Sequence, residues 1–78
     1  MANERALRYR DLRTRLRPFG VQEEDRGGGR RMLFKEDVEG QKASYPIHPH
    51  SEHHEFGPPI IRAILRRFKI PPDVFWNA

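Results

Sequence analysis

The stretch RGGGRRMLFKEDVEGQKASYPIH, residues 26–48, decides the fold because it joins strand-like segments through turn signals. Three successive glycines at 27–29 favour neither a helix nor a strand, so they predict a turn. Residues 30–36 predict a half-buried strand. In that segment Met32 and Phe34 alternate with Arg31, Leu33 and Lys35.

The second half of the stretch predicts a hairpin. Residues 37–40 are typical of a tight turn whose final glycine adopts a positive φ angle. Residues 42–48 predict the following strand, in which Tyr45 and Ile47 share one face. Proline cannot donate a ladder hydrogen bond, so Pro46 indicates a strand at the edge of the sheet.

The segments before the hairpin predict a helix and one further strand. Residues 3–17 suit a helix that Asn3 caps and that Pro18 and Gly20 end. Its apolar face holds Ala6, Leu7, Tyr9, Leu12 and Leu16. Residues 21–25 are short and acidic and predict the first strand.

The segments after the hairpin predict a polar loop at 49–56 and a second helix that opens at 57–59, where proline is tolerated. Its apolar stripe is Ile60, Ile61, Ile64, Leu65 and Phe68, and its basic ridge is Arg62, Arg66 and Lys69. Prolines at 71–72 end this helix, and residues 73–76 predict a short turn. The order helix, three strands, helix predicts one α+β domain over residues 1–78, a sandwich with two helices on one face of a three-stranded antiparallel sheet.

Composition limits the class of protein. Seventy-eight residues allow one small domain with a small core. The absence of cysteine excludes disulfides and thiolate metal sites. Apolar runs are too short for a membrane span, and the first residues lack the apolar segment of a secretory signal. A cytoplasmic protein is therefore expected.

The charge balance favours a polyanionic partner. The chain carries 15 Lys+Arg against 11 Asp+Glu, for a net charge of +4, and arginine dominates the basic residues. Arginine binds phosphate through a planar fork and stacks on bases, which lysine does not do. The alternative explanation is a thermophilic or GC-rich genome that raises the arginine content generally.

Two clusters are candidates for chemistry. Arg26, Arg30 and Arg31 surround the three glycines, so charge and free N–H groups together suit a phosphate cradle; the alternative is an exposed turn kept soluble by arginine. The second cluster is His48, His50, His53 and His54. Histidine suits acid–base catalysis, a zinc or nickel site, or a plain surface loop. Only His48 lies at the end of a predicted strand, so its side chain has a defined direction that the loop histidines lack.

The basic ridge of the second helix extends the first candidate. Arg62 and Arg66 lie on that ridge, opposite the apolar stripe. A helix and a hairpin that present arginine together would span adjacent phosphates of an RNA duplex. The alternative is an ordinary solvated helix face.

Four segments are similar to motifs of the HicA family, small mRNA-cleaving bacterial toxins that pair with HicB antitoxins. Phe19-Gly20-Val21 resembles the family's Gly-Phe exit from the first helix. Residues 26–35 resemble its second strand, which contains Gly-Ser-His, and Pro46-Ile47-His48 resembles its Val-Pro-x-His third strand. Residues 57–66 resemble the Arg-Gly-Thr-Leu-Arg-x-Ile-Leu-Arg helix, which is the most specific of the four.

The resemblance implies a fold like a double-stranded-RNA-binding domain, an mRNA substrate, a HicB-like antitoxin partner, and cleavage without a metal or other cofactor. One departure concerns the catalytic histidine, which follows Gly-Ser in the family. Here Arg31 occupies the histidine position and Arg30 the serine position. Arginine stays protonated and cannot act as a general acid or base. It can stabilise negative charge on a phosphorane-like transition state.

Three hypotheses follow. In the first, the chain is a ribonuclease in which His48 or a loop histidine carries the proton and Arg31 clamps the phosphate. In the second, it binds RNA without cleaving it. In the third, it is a protein-interaction module, such as an antitoxin, with an acidic partner. The catalytic assignment is Arg31 and His48, with no metal site. The RNA-binding assignment is Arg26, Gly28, Gly29, Arg30, Lys35, Arg62 and Arg66.

Overall fold

The computed structural model describes residues 4–77 as one α+β domain built on a three-stranded antiparallel sheet. The elements in chain order are β1 (Leu7–Arg8), α1 (Tyr9–Leu16), β2 (Gln22–Gly27), β3 (Arg30–Val38), β4 (Gln41–Ile47), β5 (Glu55–Phe56), α2 (Pro58–Arg67) and α3 (Pro72–Asn77). A 3-10 turn, Arg17–Phe19, follows α1. None of the helices between residues 4 and 77 combines the length and the apolarity needed to cross a membrane.

The main sheet has the strand order β2-β3-β4, so the two predicted hairpins are confirmed. Strand β4 lies at an edge, as Pro46 indicated. At that free edge the Arg67 guanidinium Nε donates a hydrogen bond of 2.9 Å to the carbonyl oxygen of Ser44. A missing N–H and an occupied carbonyl both discourage another strand from pairing with β4.

The turn between β3 and β4 has two residues with positive φ angles, Glu39 at 54° and Gly40 at 89°. This is the handedness that a two-residue hairpin loop requires. The carboxylate of Asp37 accepts a hydrogen bond of 2.6 Å from the Gly40 N–H, which fixes the loop.

The sheet has two unlike faces. Leu33, Ala43 and Ile47 are buried against the helices in the hydrophobic core. Met32 and Phe34 belong to the opposite face and are half-buried. The strand predicted at residues 30–36 is therefore confirmed, but its core-facing side chain is Leu33 and not Met32 or Phe34.

The first helix begins later than predicted. Asn3, the expected cap, lies outside the described residues, and α1 starts at Tyr9 because Leu7 and Arg8 pair as a strand with Phe56 and Glu55. Ala6 is correspondingly exposed rather than part of a helical apolar face.

The segment 49–56 is more than the predicted polar loop, because its end forms β5 and its backbone caps α1. The Tyr9 N–H donates to the His54 carbonyl at 2.7 Å, and the Arg10 N–H donates to the Glu52 carbonyl at 3.1 Å. These bonds satisfy N–H groups that the first turn of a helix leaves free.

The second helix buries Ile61, Ile64 and Leu65, as its apolar stripe predicted, whereas Ile60 is 41% exposed. The predicted turn at 73–76 is instead helix α3, which buries Phe75 and Trp76. Proline at its first position suits a helix start. The described chain thus packs a third helix in addition to the two that were predicted.

Candidate nucleic-acid interface

An open groove of about 630 Å³ lies beside the glycine turn, at one end of the main sheet. Its lining residues are Arg26, Arg30, Arg31, Met32, Pro46, Ile47 and His48. Both residues assigned as catalytic and two of the arginines assigned to RNA are therefore brought together. The remaining lining is apolar, so cationic groups stand at the rim of a surface that bases can contact.

The glycine turn has a backbone that only glycine adopts easily. Gly27, Gly28 and Gly29 have φ angles of 83°, 63° and 81°, all in the left-handed region. Gly27 pairs with Arg30 across the turn, and its N–H donates a hydrogen bond of 2.8 Å to the Asp25 carboxylate.

Two arginines of the groove are positioned by this turn. The ladder register shifts between Asp25 and Gly27, so Arg26 lies in a bulge and has no partner residue on β3. Its Nε lies 3.5 Å from a Glu24 carboxylate oxygen, and both side chains are about half exposed. The Arg30 Nε donates to the Gly27 carbonyl at 3.3 Å. These exposed contacts are weak, so phosphate can replace them at small cost.

His48 directly follows β4 and contacts the glycine turn between β2 and β3. Its Nε2 lies 3.2 Å from the Gly28 carbonyl oxygen. A carbonyl only accepts, so Nε2 carries the proton in neutral His48, and Nδ1 is left as the proton acceptor. A Cβ atom added to Gly29 would lie 3.0 Å from the same Nε2, which is tighter than most side-chain contacts, so the imidazole would have to shift by a few tenths of an ångström. Glycine at position 29 therefore makes room for the imidazole.

Arg31 differs from the other two arginines because its charge acts on the carboxylate of Glu23, on the same side of the sheet. It is half-buried on β3, directly opposite Asp25 on β2. Burial raises the pKa of Glu23, the positive charge of Arg31 counteracts that rise, and the negative charge of Glu52 adds to it. The charge of Arg31 therefore acts on these carboxylates from the side of the sheet that faces the helices, where Ile47 lies directly opposite Arg31.

A second polar cluster lies behind Arg31 and was missed by sequence reasoning. The Arg13 guanidinium binds both oxygens of Glu52, at 3.0 and 2.6 Å, and one oxygen of Glu23 at 3.2 Å. The hydrogen bonds from Arg13 lower the pKa of Glu52. Within residues 4–77 the Tyr9 hydroxyl and the second oxygen of Glu23 are buried without a hydrogen-bond partner. Arg13 and Glu52 are 39 positions apart in sequence, so no local sequence pattern indicates that they pair.

Three of the four histidines form a row that leads from the groove to the core. Ring centroids are 5.2 Å apart for His48 and His50, and 5.1 Å apart for His50 and His54. The row ends on Phe56, 4.7 Å from His54. Within residues 4–77 no three His, Cys, Asp or Glu side chains are grouped so that they could hold a metal ion.

The remaining residues assigned to RNA lie away from the groove. Lys35 is further along β3, near Gly20, and does not line it. Arg62 pairs with Glu4 through a bond of 2.7 Å, and Arg66 is exposed on α2, on the other side of the sheet from Met32 and Phe34. The turn and the helix ridge therefore do not form one continuous lining.

Comparison of the chain with protein-family models, with curated proteins and with solved structures gave no match.

Proposed function

We propose that the chain is a HicA-like toxin that binds mRNA in the groove beside the glycine turn and cleaves it as a metal-independent endoribonuclease. The observation that carries the proposal is the presence of three arginines and one exposed histidine in one open groove. An mRNA substrate implies action in the cytoplasm, and the family resemblance implies control by a HicB-like antitoxin and a fold like a double-stranded-RNA-binding domain.

The charge of the groove supports phosphate binding. Arg26 and Arg30 are exposed and hold only weak contacts, so their guanidinium groups are available to phosphate oxygens. Arginine matches phosphate bidentately, which fixes the backbone of the RNA as well as attracting it. Gly28 and Gly29 carry no side chains that would keep that backbone away from the turn.

The position of His48 supports the cleavage step. Its Nδ1 takes the proton of a ribose 2′-hydroxyl while O2′ attacks the adjacent phosphorus and the P–O5′ bond breaks. The products are a 2′,3′-cyclic phosphate and a 5′-hydroxyl, whose oxygen takes a proton from water. The hydrogen bond to Gly28 holds the imidazole in the required tautomer. Arg26 and Arg30 stabilise the charge that develops on the phosphorane oxygens, whereas the side chain of Arg31, directly opposite buried Ile47, lies on the side of the sheet that faces the helices.

A second candidate function is RNA binding without cleavage. His48 is the one imidazole that lines the groove within the described residues, and the family's histidine position holds Arg31. A ribonuclease commonly uses two titratable groups, one as a base and one as an acid. The groove offers one titratable group, His48, beside a permanently charged arginine, which favours binding over cleavage. This alternative keeps the same groove and the same phosphate contacts.

The test is cleavage of a labelled RNA by the wild-type chain, by His48→Gln and by His53→Gln. We expect His48→Gln to lower the cleavage rate about 100-fold or more, since a positioned general base contributes 10²–10⁴-fold. His53 is exposed and outside the histidine row, so His53→Gln provides the matched control and should cleave normally. RNA binding with equal, background cleavage by all three proteins would favour the second candidate.

A further inference from the structure

The side of the main sheet that faces away from the helices continues the groove with apolar and aromatic groups. Residues opposite one another on antiparallel strands share a face, so Met32 shares its face with Pro46, and Phe34 shares its face with Ser44. Met32 and Phe34 are absent from the packed core and are only half-buried. We define this surface, Met32, Phe34 and Pro46, as the platform.

The platform and the groove form one continuous surface, because Met32 and Pro46 line both. Along β3 the separation from Arg30 to Phe34 is about 13 Å at the usual rise per strand residue. Phe34 therefore lies more than one nucleotide away from a phosphate bound at Arg30.

Charge along the platform also fits a nucleic-acid strand. The Lys42 ammonium lies 4.9 Å from the centroid of the Phe34 ring, at the end away from the arginines. Lys42 is exposed, so it can move from the ring to a phosphate when a base takes its place. Glu24, which shares this face with Met32, lies beside Arg26 and its charge is partly neutralised there.

We infer that the platform binds the bases of a single-stranded segment of RNA, with Phe34 as the stacking residue and the arginine groove holding the adjoining phosphates. This inference rests on the proposed function and specifies its substrate class. Bases of a duplex are stacked within the helix and cannot lie on Phe34. The basic ridge of α2, which a duplex would need, belongs to the layer on the other face of the sheet.

The experiment compares three 12-nucleotide probes, each 2′-O-methylated so that cleavage cannot occur: a single strand, the same strand in a duplex, and a single strand with abasic sugars. Affinities are measured by fluorescence anisotropy for the wild type, Phe34→Ala and Ile60→Ala. Ile60 is an exposed apolar residue on α2 and serves as the matched control.

We expect the wild type to bind the single strand about 5- to 150-fold more tightly than the abasic strand, because one stacked base contributes that much. Phe34→Ala should lose this preference and still bind the abasic strand normally, whereas Ile60→Ala should keep both affinities. The duplex should bind no better than the abasic strand. Phe34→Leu, which keeps the apolar volume of the side chain, should behave like Phe34→Ala and serves if the alanine variant unfolds.

Two results would overturn the inference while leaving RNA binding in place: a duplex that binds as tightly as the single strand, or a base preference that survives both substitutions of Phe34. Failure of every probe to bind would overturn the proposed function and this inference with it.

Discussion

The imidazole Nε2 of His48 donates a hydrogen bond of 3.2 Å to the carbonyl oxygen of Gly28, a residue 20 positions earlier in the chain. This bond joins the end of β4 to the turn between β2 and β3, so His48 and the glycine turn are one structural unit. It also sets the tautomer, which leaves Nδ1 free to accept a proton. The geometry of the turn therefore controls the chemistry available to His48.

The first prediction concerns the two glycines that flank Gly28. We expect Gly27→Ala and Gly29→Ala each to lower the free energy of unfolding by about 1–2 kcal/mol, since left-handed φ angles cost a non-glycine residue that amount. Only Gly29→Ala should also displace His48, because an added Cβ meets nothing at position 27 and meets the imidazole at 3.0 Å at position 29.

Urea unfolding measures the common loss of stability, and the NMR shifts of the His48 ring measure the displacement. The matched backbone strain at Gly27 makes that variant the control. Equal perturbation of the His48 signals in both variants would show that the contact at Gly29 is unimportant.

The second prediction concerns the polar cluster of Arg13, Glu23 and Glu52 behind Arg31. Arg13→Ala should lower the free energy of unfolding by about 1–3 kcal/mol, because half-buried Glu23 loses a charged hydrogen-bond donor. The side chain of Arg13 is only 20% exposed and also lies over the Tyr9 ring. Arg10→Ala, which removes an exposed arginine 3.9 Å from Asp11, should change stability by a few tenths of a kcal/mol at most. Similar losses in the two variants would contradict the account.

The third prediction concerns pH. The pKa of Glu23 is raised from its ordinary value of 4.5, so the folded chain holds this proton more tightly than the unfolded chain does. The resulting contribution to stability is fully present below pH 4.5 and is lost as pH rises through the raised pKa. Relative to Glu23→Gln, the wild type should therefore lose stability over that range, which urea unfolding between pH 4 and pH 8 would measure.

Glu52 provides the control of opposite sign. Its pKa is lowered by Arg13, so its contribution to stability is present above pH 4.5 and is lost as pH falls through the lowered pKa. Glu52→Gln should flatten the acid side of the stability profile and leave the neutral side unchanged in shape. Profiles of the wild type and both variants that run parallel throughout would contradict these pKa directions.

The hairpins of this protein could be predicted from sequence because their signals are local. Three glycines and the Glu39-Gly40 pair require positive φ angles, and each adjoins a segment of alternating polarity. The same local signals brought Arg26 and Arg30 to the turn, and the end of β4 brought His48 beside them.

The start of α1 and the cluster around Arg13 could not be predicted, because both depend on distant partners. Leu7 is extended only because Phe56 pairs with it, and Glu52 meets Arg13 across 39 positions. Periodicity within residues 3–17 suits a longer helix and contains no information about either partner. Likewise, alternation in β3 showed two faces without showing that Phe34 would remain outside the core.

The fourth prediction concerns metal removal. We expect RNA cleavage to continue in EDTA, because side chains supply both the proton acceptor and the charge stabilisation in the proposed reaction. Product formation is followed on a denaturing gel, with and without the chelator. Activity that disappears in EDTA and returns with added Mg²⁺ would contradict this mechanism.

The central claim is that the arginine groove holds RNA phosphates, and the salt dependence of affinity tests it most directly. For an uncleavable single-stranded RNA, the plot of log K against log salt concentration should be steep for the wild type. Its slope should fall by about 0.7 in Arg30→Ala, the value for one phosphate contact on a single strand, and remain unchanged in Arg10→Ala. An affinity that is independent of salt, or a slope that Arg30→Ala leaves unchanged, would contradict the account.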